Sequence, residues 1–507
     1  MSPMKNLEKD IYRNDSECSS SDDEVTGGRY RTDSGNFESD NSDLEDDCKK
    51  GVIQKGLRQF TPLVVALVGL PARGKTVLAH KLSRYLTWTD HKSKVFSVSA
   101  YRRKHLELYN SHDIFRVDNT EGYNIRQLSA REAQEDATKW LKNDGEVAII
   151  DGTTATMEKR KQIHDYFARK MGFKVLFVEL IVQDEEILEH NIKEMLQFNK
   201  DYKNMSEEKA LDDFQHKMEH FLEVYETINP KLEARYSYVK VYDGGENMNV
   251  RFIDGPLQSE VLSYISNFRP TPKTFYFSRH GESEFNVLGR IGGDADLSPR
   301  GRLYAAALAR HFNEADVPDL HIWTSEKRRT KQTVAGIHAT SEAIPALNEL
   351  DAGVCEGYSY EEMQDKFPQE FAWRDQDKLR YRYPWGESYV DIMQRIRPVL
   401  LELEREDNLL VVSHQAVLRC LLGYFLNKKP DELPYMNVPL HTIIKLTTSG
   451  YKTHMEIIKL NIACVDTYRQ QPKDCSVLRS TQDALRTVPA HFDTLNMWPA
   501  PSLIEQN

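Results

Sequence analysis

The segment at residues 63–86 constrains the fold more than any other part of this 507-residue chain. Its apolar run LVVALVGL is typical of a strand buried on both faces of a parallel sheet, and the helical pattern VLAHKLSRYL follows. Glycines at such a junction let backbone N–H groups surround an anion at the start of a helix, which predicts a phosphate site. The residues of this G-x-x-x-x-G-K-T motif are Gly69, Leu70, Pro71, Ala72, Arg73, Gly74, Lys75 and Thr76.

The chemistry of such a loop assigns roles to its last two residues. We expect Lys75 to reach the β- and γ-phosphates of a nucleotide and the Thr76 hydroxyl to bind Mg²⁺. Asp151 closes the apolar run EVAIID (146–151) and fits an acid that holds Mg²⁺ or activates an acceptor hydroxyl, although a helix N-cap is the alternative. Further strand patterns at 94–99 and 174–182 alternate with helix-length stretches, which predicts a parallel α/β sheet.

A second α/β unit is predicted after the proline-containing segment SNFRPTPKT (266–274). The patterns TFYFSRHGE (274–282) and NLLVVSHQAV (408–417) each indicate a buried strand that leads into a histidine. A single histidine after a strand is more often structural than catalytic. Two histidines, each at the end of a buried strand, instead indicate that His280 is a nucleophile that attacks phosphorus. Arg279, Arg329 and His414 would stabilise the negative charge of the transition state.

A leaving alkoxide also needs a proton, and Glu349 in NELDAG is the candidate acid. Its local sequence alone favours an exposed glutamate on the surface. A role as general acid requires surroundings that raise the pKa of Glu349.

Charge and hydropathy exclude several classes of protein. The formal net charge is −11, and residues 1–50 alone carry 14 acidic and 7 basic side chains. This predicts a disordered acidic, serine-rich tail at 1–55, open to phosphorylation, and excludes a generally basic nucleic-acid binder. The apolar runs are far shorter than the ~20 residues that span a bilayer, and MSPMKNLEKD lacks the core of a signal peptide. We therefore predict a cytoplasmic protein without nucleic-acid or membrane partners.

Several longer motifs resemble the signatures of one family. GLPARGKT, SAYRR, RHGESEFNVLGRIGGD, FAWRDQDKLRYRYPWGESY and SHQAVLRCLLGYF occur in the order and spacing of the bifunctional 6-phosphofructo-2-kinase/fructose-2,6-bisphosphatase enzymes, over roughly residues 61–465. The resemblance implies a P-loop kinase-like parallel-sheet domain (56–268), which makes fructose 2,6-bisphosphate from fructose 6-phosphate and ATP with Mg²⁺. It also implies a phosphoglycerate-mutase-like histidine-phosphatase α/β domain (269–465), which removes the 2-phosphate without a cofactor. Residues 466–507 would form a C-terminal tail, and a homodimer is implied.

The resemblance also implies roles for individual residues. It favours the catalytic interpretation of Glu349, and it assigns Arg374, Lys378 and Arg419 to the 6-phosphate. In the phosphatase half, the catalytic or 2-phosphate positions are Arg279, His280, Asn286, Arg329, Glu349 and His414, and the substrate pocket is formed by Gly292, Tyr360, Arg374, Lys378, Tyr389, Gln415 and Arg419. In the kinase half, the matching positions are Lys75, Thr76, Asp151 and Thr153, with Arg102, Arg103 and Arg126 for the sugar phosphate.

Five positions of the kinase half depart from the family pattern. Each lost charge-assisted hydrogen bond is worth ~1.5–3 kcal/mol, which is roughly 10–100-fold in rate. The sequence therefore predicts an active phosphatase and a weakened kinase, unless Lys193 or Lys200 replaces the missing lysine. Two alternatives stay open: a catalytically inactive nucleotide-binding half that gates the phosphatase, and a phosphatase for another sugar phosphate. The departures are Thr154 for asparagine, Met157 for arginine, Leu196 for lysine, Lys217 for arginine and Phe221 for tyrosine.

Overall fold

A computed structural model of the chain describes residues 61–106, 111–450, 452–469, 471 and 495–496. The predicted tail at 1–55 and most of 466–507 lie outside the described residues. The strands are β1 Leu63–Val68, β2 Ser93–Ser97, β3 Val147–Asp151, β4 Lys174–Ile181, β5 Ser237–Tyr242, β6 Asn247–Arg251, β7 Lys273–Arg279, β8 His321–Thr324, β9 Thr340–Ala343, β10 Asn408–Ser413, β11 Thr442–Thr448, β12 Thr453–Lys459, β13 Cys464–Val465 and β14 Leu495–Asn496. The helices are α1 Lys75–Trp88, α2 Val98–His105, α3 Thr120–Asn143, α4 Met157–His164, α5 Glu185–Phe198, α6 Glu207–Leu222, α7 Pro256–Asn267, α8 Glu284–Val287, α9 Pro299–Ala315, α10 Arg328–Val334, α11 Tyr360–Lys366, α12 Pro368–Gln376, α13 Tyr389–Arg395, α14 Arg397–Leu403 and α15 Gln415–Phe425.

The first sheet has the strand order β2-β3-β1-β4-β5-β6. Its first five strands are parallel, and β6 pairs antiparallel with β5 at the edge. Every residue of β1 is buried, because this central strand is covered on both faces. The strands predicted at 94–99, 146–151 and 174–182 correspond to β2, β3 and β4.

The second sheet has the order β12-β11-β7-β10-β8-β9. Strands β7, β10, β8 and β9 are parallel, whereas the β11–β12 hairpin adds two antiparallel strands beside β7. Two successive α/β units with mostly parallel sheets confirm the predicted fold class. None of the helices in the described ranges combines the length and the apolar character that crossing a membrane requires.

Strand pairing brings the predicted site residues together. In the second sheet Arg279 lies opposite Ser413 on the parallel pair β7–β10, so the residues that follow, His280 and His414, meet at the same edge. In the first sheet β1 and β3 are parallel neighbours, so the loop after β1 lies beside Asp151. Both candidate sites therefore lie at the carboxyl ends of parallel strands, where α/β proteins bind their ligands.

Helix α1 also connects the two units. The Glu404 carboxylate, which is buried after α14, accepts hydrogen bonds from Lys81 at 3.3 Å and from the Tyr264 hydroxyl at 3.2 Å. Farther along α1, the Arg84 guanidinium lies 4.6 Å from the ring centroid of Tyr424 on α15. Because a buried carboxylate is stable only with such partners, these contacts fix the two units against each other.

Candidate active sites

Two glycines with positive φ angles shape the loop after β1. Gly69 has φ 138°, and a Cβ there would lie 2.6 Å from the carbonyl oxygen of Leu180. Gly74 has φ 80° and precedes α1. The loop curls so that the Lys75 ammonium donates to the carbonyl oxygen of Leu70 at 2.6 Å. This geometry fits a cradle for an anion.

The side chains that follow the cradle fit a hard cation. The Thr76 hydroxyl lies 3.0 and 3.2 Å from the two carboxylate oxygens of Asp151. A hydroxyl and a carboxylate are oxygen ligands of the kind that Mg²⁺ prefers. Burial lowers the pKa of Lys75 to about 7, although Asp151 opposes the shift. A bound polyphosphate would restore the lysine's charge.

A cavity of about 270 Å³ adjoins the cradle. The predicted residues Arg102, Arg126 and Thr153 line it, as does Lys159, which the sequence analysis did not single out. Arg103 lies outside the lining. Both Arg102 and Arg103 bind the buried carboxylate of Asp201, and the Arg103 bond measures 3.1 Å.

The five positions that depart from the family pattern form two groups in the structure. Thr154, Lys217 and Phe221 line the cavity, whereas Met157 and Leu196 lie outside the lining. Lys217 is buried, and its ammonium lies 4.7 Å from the ring centroid of Phe115. Burial and the charge of Arg102 lower its pKa to about 8. The two lysines considered as replacements, Lys193 and Lys200, are exposed and outside the lining as well.

His280 has the geometry of a neutral nucleophile. Its side chain is buried, and Nδ1 lies 2.7 Å from the carbonyl oxygen of Gly281. Because a carbonyl oxygen only accepts, Nδ1 carries the proton and Nε2 keeps its lone pair. Burial and the charges of Arg329 and Arg279 hold the pKa of His280 well below its ordinary value of 6.5.

The second histidine is fixed by two partners. Arg329 donates from Nη2 to Nδ1 of His414 at 3.1 Å, so Nε2–H of the neutral ring donates to the Ser325 hydroxyl at 2.7 Å. The rings of His280 and His414 are 5.1 Å apart, between centroids. Glu349 lies close by, with Oε2 4.0 Å from His414 Nδ1. Burial and the Arg329 charge lower the pKa of His414 well below 6.5.

Hydrogen-bond donors surround His280. Arg279 is buried, and its Nη1 donates to Val438 and Thr467 at 3.1 and 2.7 Å. Its buried Nε has no hydrogen-bond partner among the described residues. Asn286 uses its amide oxygen for Ser283, which leaves its NH₂ group available as a donor. Burial lowers the pKa of Arg279 to about 10, so it remains a cation at neutral pH.

A cavity of about 580 Å³ opens from this site. The cations Arg374, Lys378 and Arg419 lie in its lining, and burial together with the charges of Arg419 and Arg374 lowers the pKa of Lys378. An anion would relieve this repulsion. His414 lies behind Arg329, outside the lining. The predicted residues in the lining are Arg279, His280, Asn286, Gly292, Arg329, Glu349, Tyr360, Arg374, Lys378, Tyr389, Gln415 and Arg419.

Residues beyond the predicted phosphatase domain also line this cavity. Thr467 binds Arg279, and the Arg469 guanidinium lies 4.2 Å from the ring centroid of Tyr360. The sequence predicts a C-terminal tail at 466–507, because the segment is polar and is interrupted by prolines. No local pattern reveals that its first residues contact the site.

Comparisons with known proteins identify the family. The 6-phosphofructo-2-kinase model matches residues 52–272, and the histidine phosphatase superfamily (branch 1) model matches residues 275–461. The 6-phosphofructo-2-kinase/fructose-2,6-bisphosphatase of Aquarana catesbeiana is 47% identical over 86% of this chain and 93% of its own. The 6-phosphofructo-2-kinase/fructose-2,6-bisphosphatase 1 of Rattus norvegicus is 46% identical over 86% of this chain and 92% of its own. The 6-phosphofructo-2-kinase/fructose-2,6-bisphosphatase 4 of Homo sapiens is 44% identical over 88% of this chain and 94% of its own. The chain therefore belongs to the 6-phosphofructo-2-kinase/fructose-2,6-bisphosphatase family, as its motifs indicated.

Proposed function

We propose that this protein hydrolyses fructose 2,6-bisphosphate to fructose 6-phosphate and phosphate through phospho-His280, and that its N-terminal half catalyses the ATP-dependent synthesis. The observation that carries the first activity is the neutral, buried His280 beside Arg279 and Arg329. The lining of the same cavity also includes the basic residues Arg374, Lys378 and Arg419. A substrate with two phosphate groups matches this distribution of charge. Family membership supports a cytoplasmic homodimer that acts on sugar phosphates.

In the proposed hydrolysis, His280 Nε2 attacks the phosphorus of the 2-phosphate and the P–O bond to the sugar breaks. Glu349 gives a proton to the leaving oxygen, and Arg279, Arg329 and Asn286 stabilise the charge on the phosphoryl oxygens. His414 accepts a hydrogen bond from Arg329 and so orients its guanidinium. Glu349 then takes a proton from water, which attacks phosphorus as the P–N bond breaks. The products are fructose 6-phosphate, phosphate and the free histidine. Arg374, Lys378 and Arg419 hold the 6-phosphate, and Gly292, Tyr360, Tyr389 and Gln415 shape the rest of the pocket.

In the proposed synthesis, the cradle at 69–76 binds the phosphates of ATP. Thr76 would hold Mg²⁺, which would lower the charge density of the phosphates. Arg102, Arg126 and Thr153 orient fructose 6-phosphate, with Arg103 next to them. The 2-hydroxyl of the sugar then attacks the γ-phosphorus, the bond from the γ-phosphorus to the bridging oxygen breaks to release ADP, and Asp151 accepts the hydroxyl proton.

One preparation of the full chain tests both activities. We expect a rapid quench after addition of 2-³²P-labelled fructose 2,6-bisphosphate to trap acid-labile, base-stable label on the protein. We also expect fructose 2,6-bisphosphate to form from MgATP and fructose 6-phosphate. Hydrolysis without trapped label would contradict the histidine mechanism, and no synthesis at all would favour the gating alternative. Comparison of kcat/KM across sugar phosphates tests the alternative of another specificity.

The low pKa of His280 predicts a flat pH profile for phosphoenzyme formation. An imidazole with the ordinary pKa of 6.5 would lose about three-quarters of its neutral form between about pH 7.5 and about pH 6. Because the folded pKa is well below 6.5, the nucleophile stays neutral over this range. We expect the single-turnover labelling rate at limiting substrate, which reports the free protein, to change less than about twofold. A decline that follows a pKa near 6.5 would contradict this prediction.

We predict that a substitution at Lys217 increases the rate of fructose 2,6-bisphosphate synthesis. An ammonium lacks the planar pair of donors of a guanidinium, so Lys217→Arg should add a contact toward fructose 6-phosphate. We expect kcat/KM for synthesis to rise roughly 10–100-fold while hydrolysis stays within about twofold. Exposed Lys209 on the same helix provides the control Lys209→Arg, which should change neither activity. Equal effects of the two substitutions would contradict a role of Lys217 in the weakened kinase.

A further inference from the structure

Arg374 lies in the lining of the phosphatase cavity and is held there by two tyrosine hydroxyls. Its Nε donates to the Tyr383 hydroxyl at 2.6 Å, and its Nη2 donates to the Tyr360 hydroxyl at 3.1 Å. The guanidinium carbon lies 4.7 Å from the ring centroid of Tyr360. Among the described residues Nη1 has no hydrogen-bond partner, so its donors remain available for an anion.

The surroundings of Tyr383 make it a rigid support. Its side chain is only 5% exposed and packs in an apolar cluster with Cys355, Met363 and Phe371. Its backbone is fixed as well, because its N–H donates to Glu387 at 3.2 Å. A guanidinium presents its five N–H donors in one plane, so a bond to Nε determines where the remaining donors lie.

We propose that Tyr383 is a positioning residue for the 6-phosphate of the substrate: it orients Arg374 so that the free donors of the guanidinium face a phosphomonoester. This inference rests on the proposed function, since it names a group that prepares the same pocket. The tyrosine lies in the segment RDQDKLRYRYP (374–384), which also contains Arg374. The hydroxyl acts through Arg374, and its removal should weaken substrate binding rather than slow the chemistry.

Tyr381 offers a matched control two residues earlier. Its hydroxyl donates to Glu370 at 2.7 Å, and its ring lies 5.1 Å from that of Tyr383. Tyr381→Phe therefore removes a hydroxyl from the same cluster without touching Arg374. A general disturbance of packing would affect both variants alike.

The experiment is a steady-state and rapid-quench comparison of the full chain with Tyr383→Phe and Tyr381→Phe. We expect Tyr383→Phe to raise KM for fructose 2,6-bisphosphate about tenfold and to leave kcat and the label on His280 within about twofold. Tyr381→Phe should leave KM within about twofold. An unchanged KM in Tyr383→Phe, or an equal increase in both variants, would overturn the proposal.

A second arm isolates the route through Arg374. In an Arg374→Ala background, Tyr383→Phe should raise KM by less than about twofold, because the group it orients is gone. A tenfold effect that persists in this background would mean that the hydroxyl acts on the substrate itself, which contradicts a positioning role. Failure of the proposed function would look different, because the unaltered protein would then show no phosphohistidine.

Discussion

Replacement of His280 by alanine is expected to abolish the phosphoenzyme and to lower hydrolysis by at least about 10⁴-fold. The expectation follows from geometry, because Nδ1 of His280 is committed to a backbone carbonyl and only Nε2 is left to form the bond to phosphorus. His414 cannot replace it, since Arg329 and Ser325 occupy both of its ring nitrogens. The measurement is the quench with 2-³²P-labelled substrate, together with steady-state phosphate release.

Two further variants separate the nucleophile from the acid. In Glu349→Gln the nucleophile is intact, so label should still be trapped while turnover falls. Exposed His338 provides the control His338→Ala, which should label and hydrolyse like the parent. Because His280 is buried, the variant's fold must be verified independently. Unfolding at the Tm of the parent and retained binding of fructose 2,6-bisphosphate serve this purpose, and undiminished label in His280→Ala would exclude the assignment.

The sequence predicts which residues meet at each sheet edge, because both groups follow buried parallel strands. An apolar run followed by a polar residue locates the carboxyl end of a strand, and pairing of β7 with β10 then brings His280 and His414 together. The two α/β units and the family are confirmed for the same reason.

Features that carry no buried-strand pattern cannot be predicted from the sequence in this way. Strand β9 is exposed along its whole length, and β6 is mostly polar, so neither has a readable periodicity. Tyr383, Lys159 and Thr467 reach their cavities through contacts between distant segments, which no local pattern encodes. The positions of the kinase half that depart from the family pattern are a further example. The sequence treats Lys217 and Leu196 alike, but in the structure Lys217 lines the cavity and Leu196 does not.

Replacement of Lys75 by methionine should reduce synthesis by about 10³-fold or more and leave hydrolysis within about twofold. Methionine keeps much of the length and apolar character of the side chain but cannot stabilise charge on the transferred phosphoryl group. The phosphatase should be unaffected, because its residues come from the second sheet. Lys139→Met is the control, since Lys139 is 75% exposed on α3 and distant in sequence from the cradle.

The pKa of Lys75 gives this prediction a second readout that does not depend on turnover. Burial holds the pKa at about 7, so at slightly alkaline pH part of the population is neutral. A bound nucleotide raises that pKa, and binding must therefore take up a proton. Calorimetry of ATP binding in buffers of different ionisation enthalpy should detect this uptake in the parent and in Lys139→Met, but not in Lys75→Met. Equal proton uptake in all three proteins would contradict the placement of Lys75 at the phosphates, even if synthesis were lost.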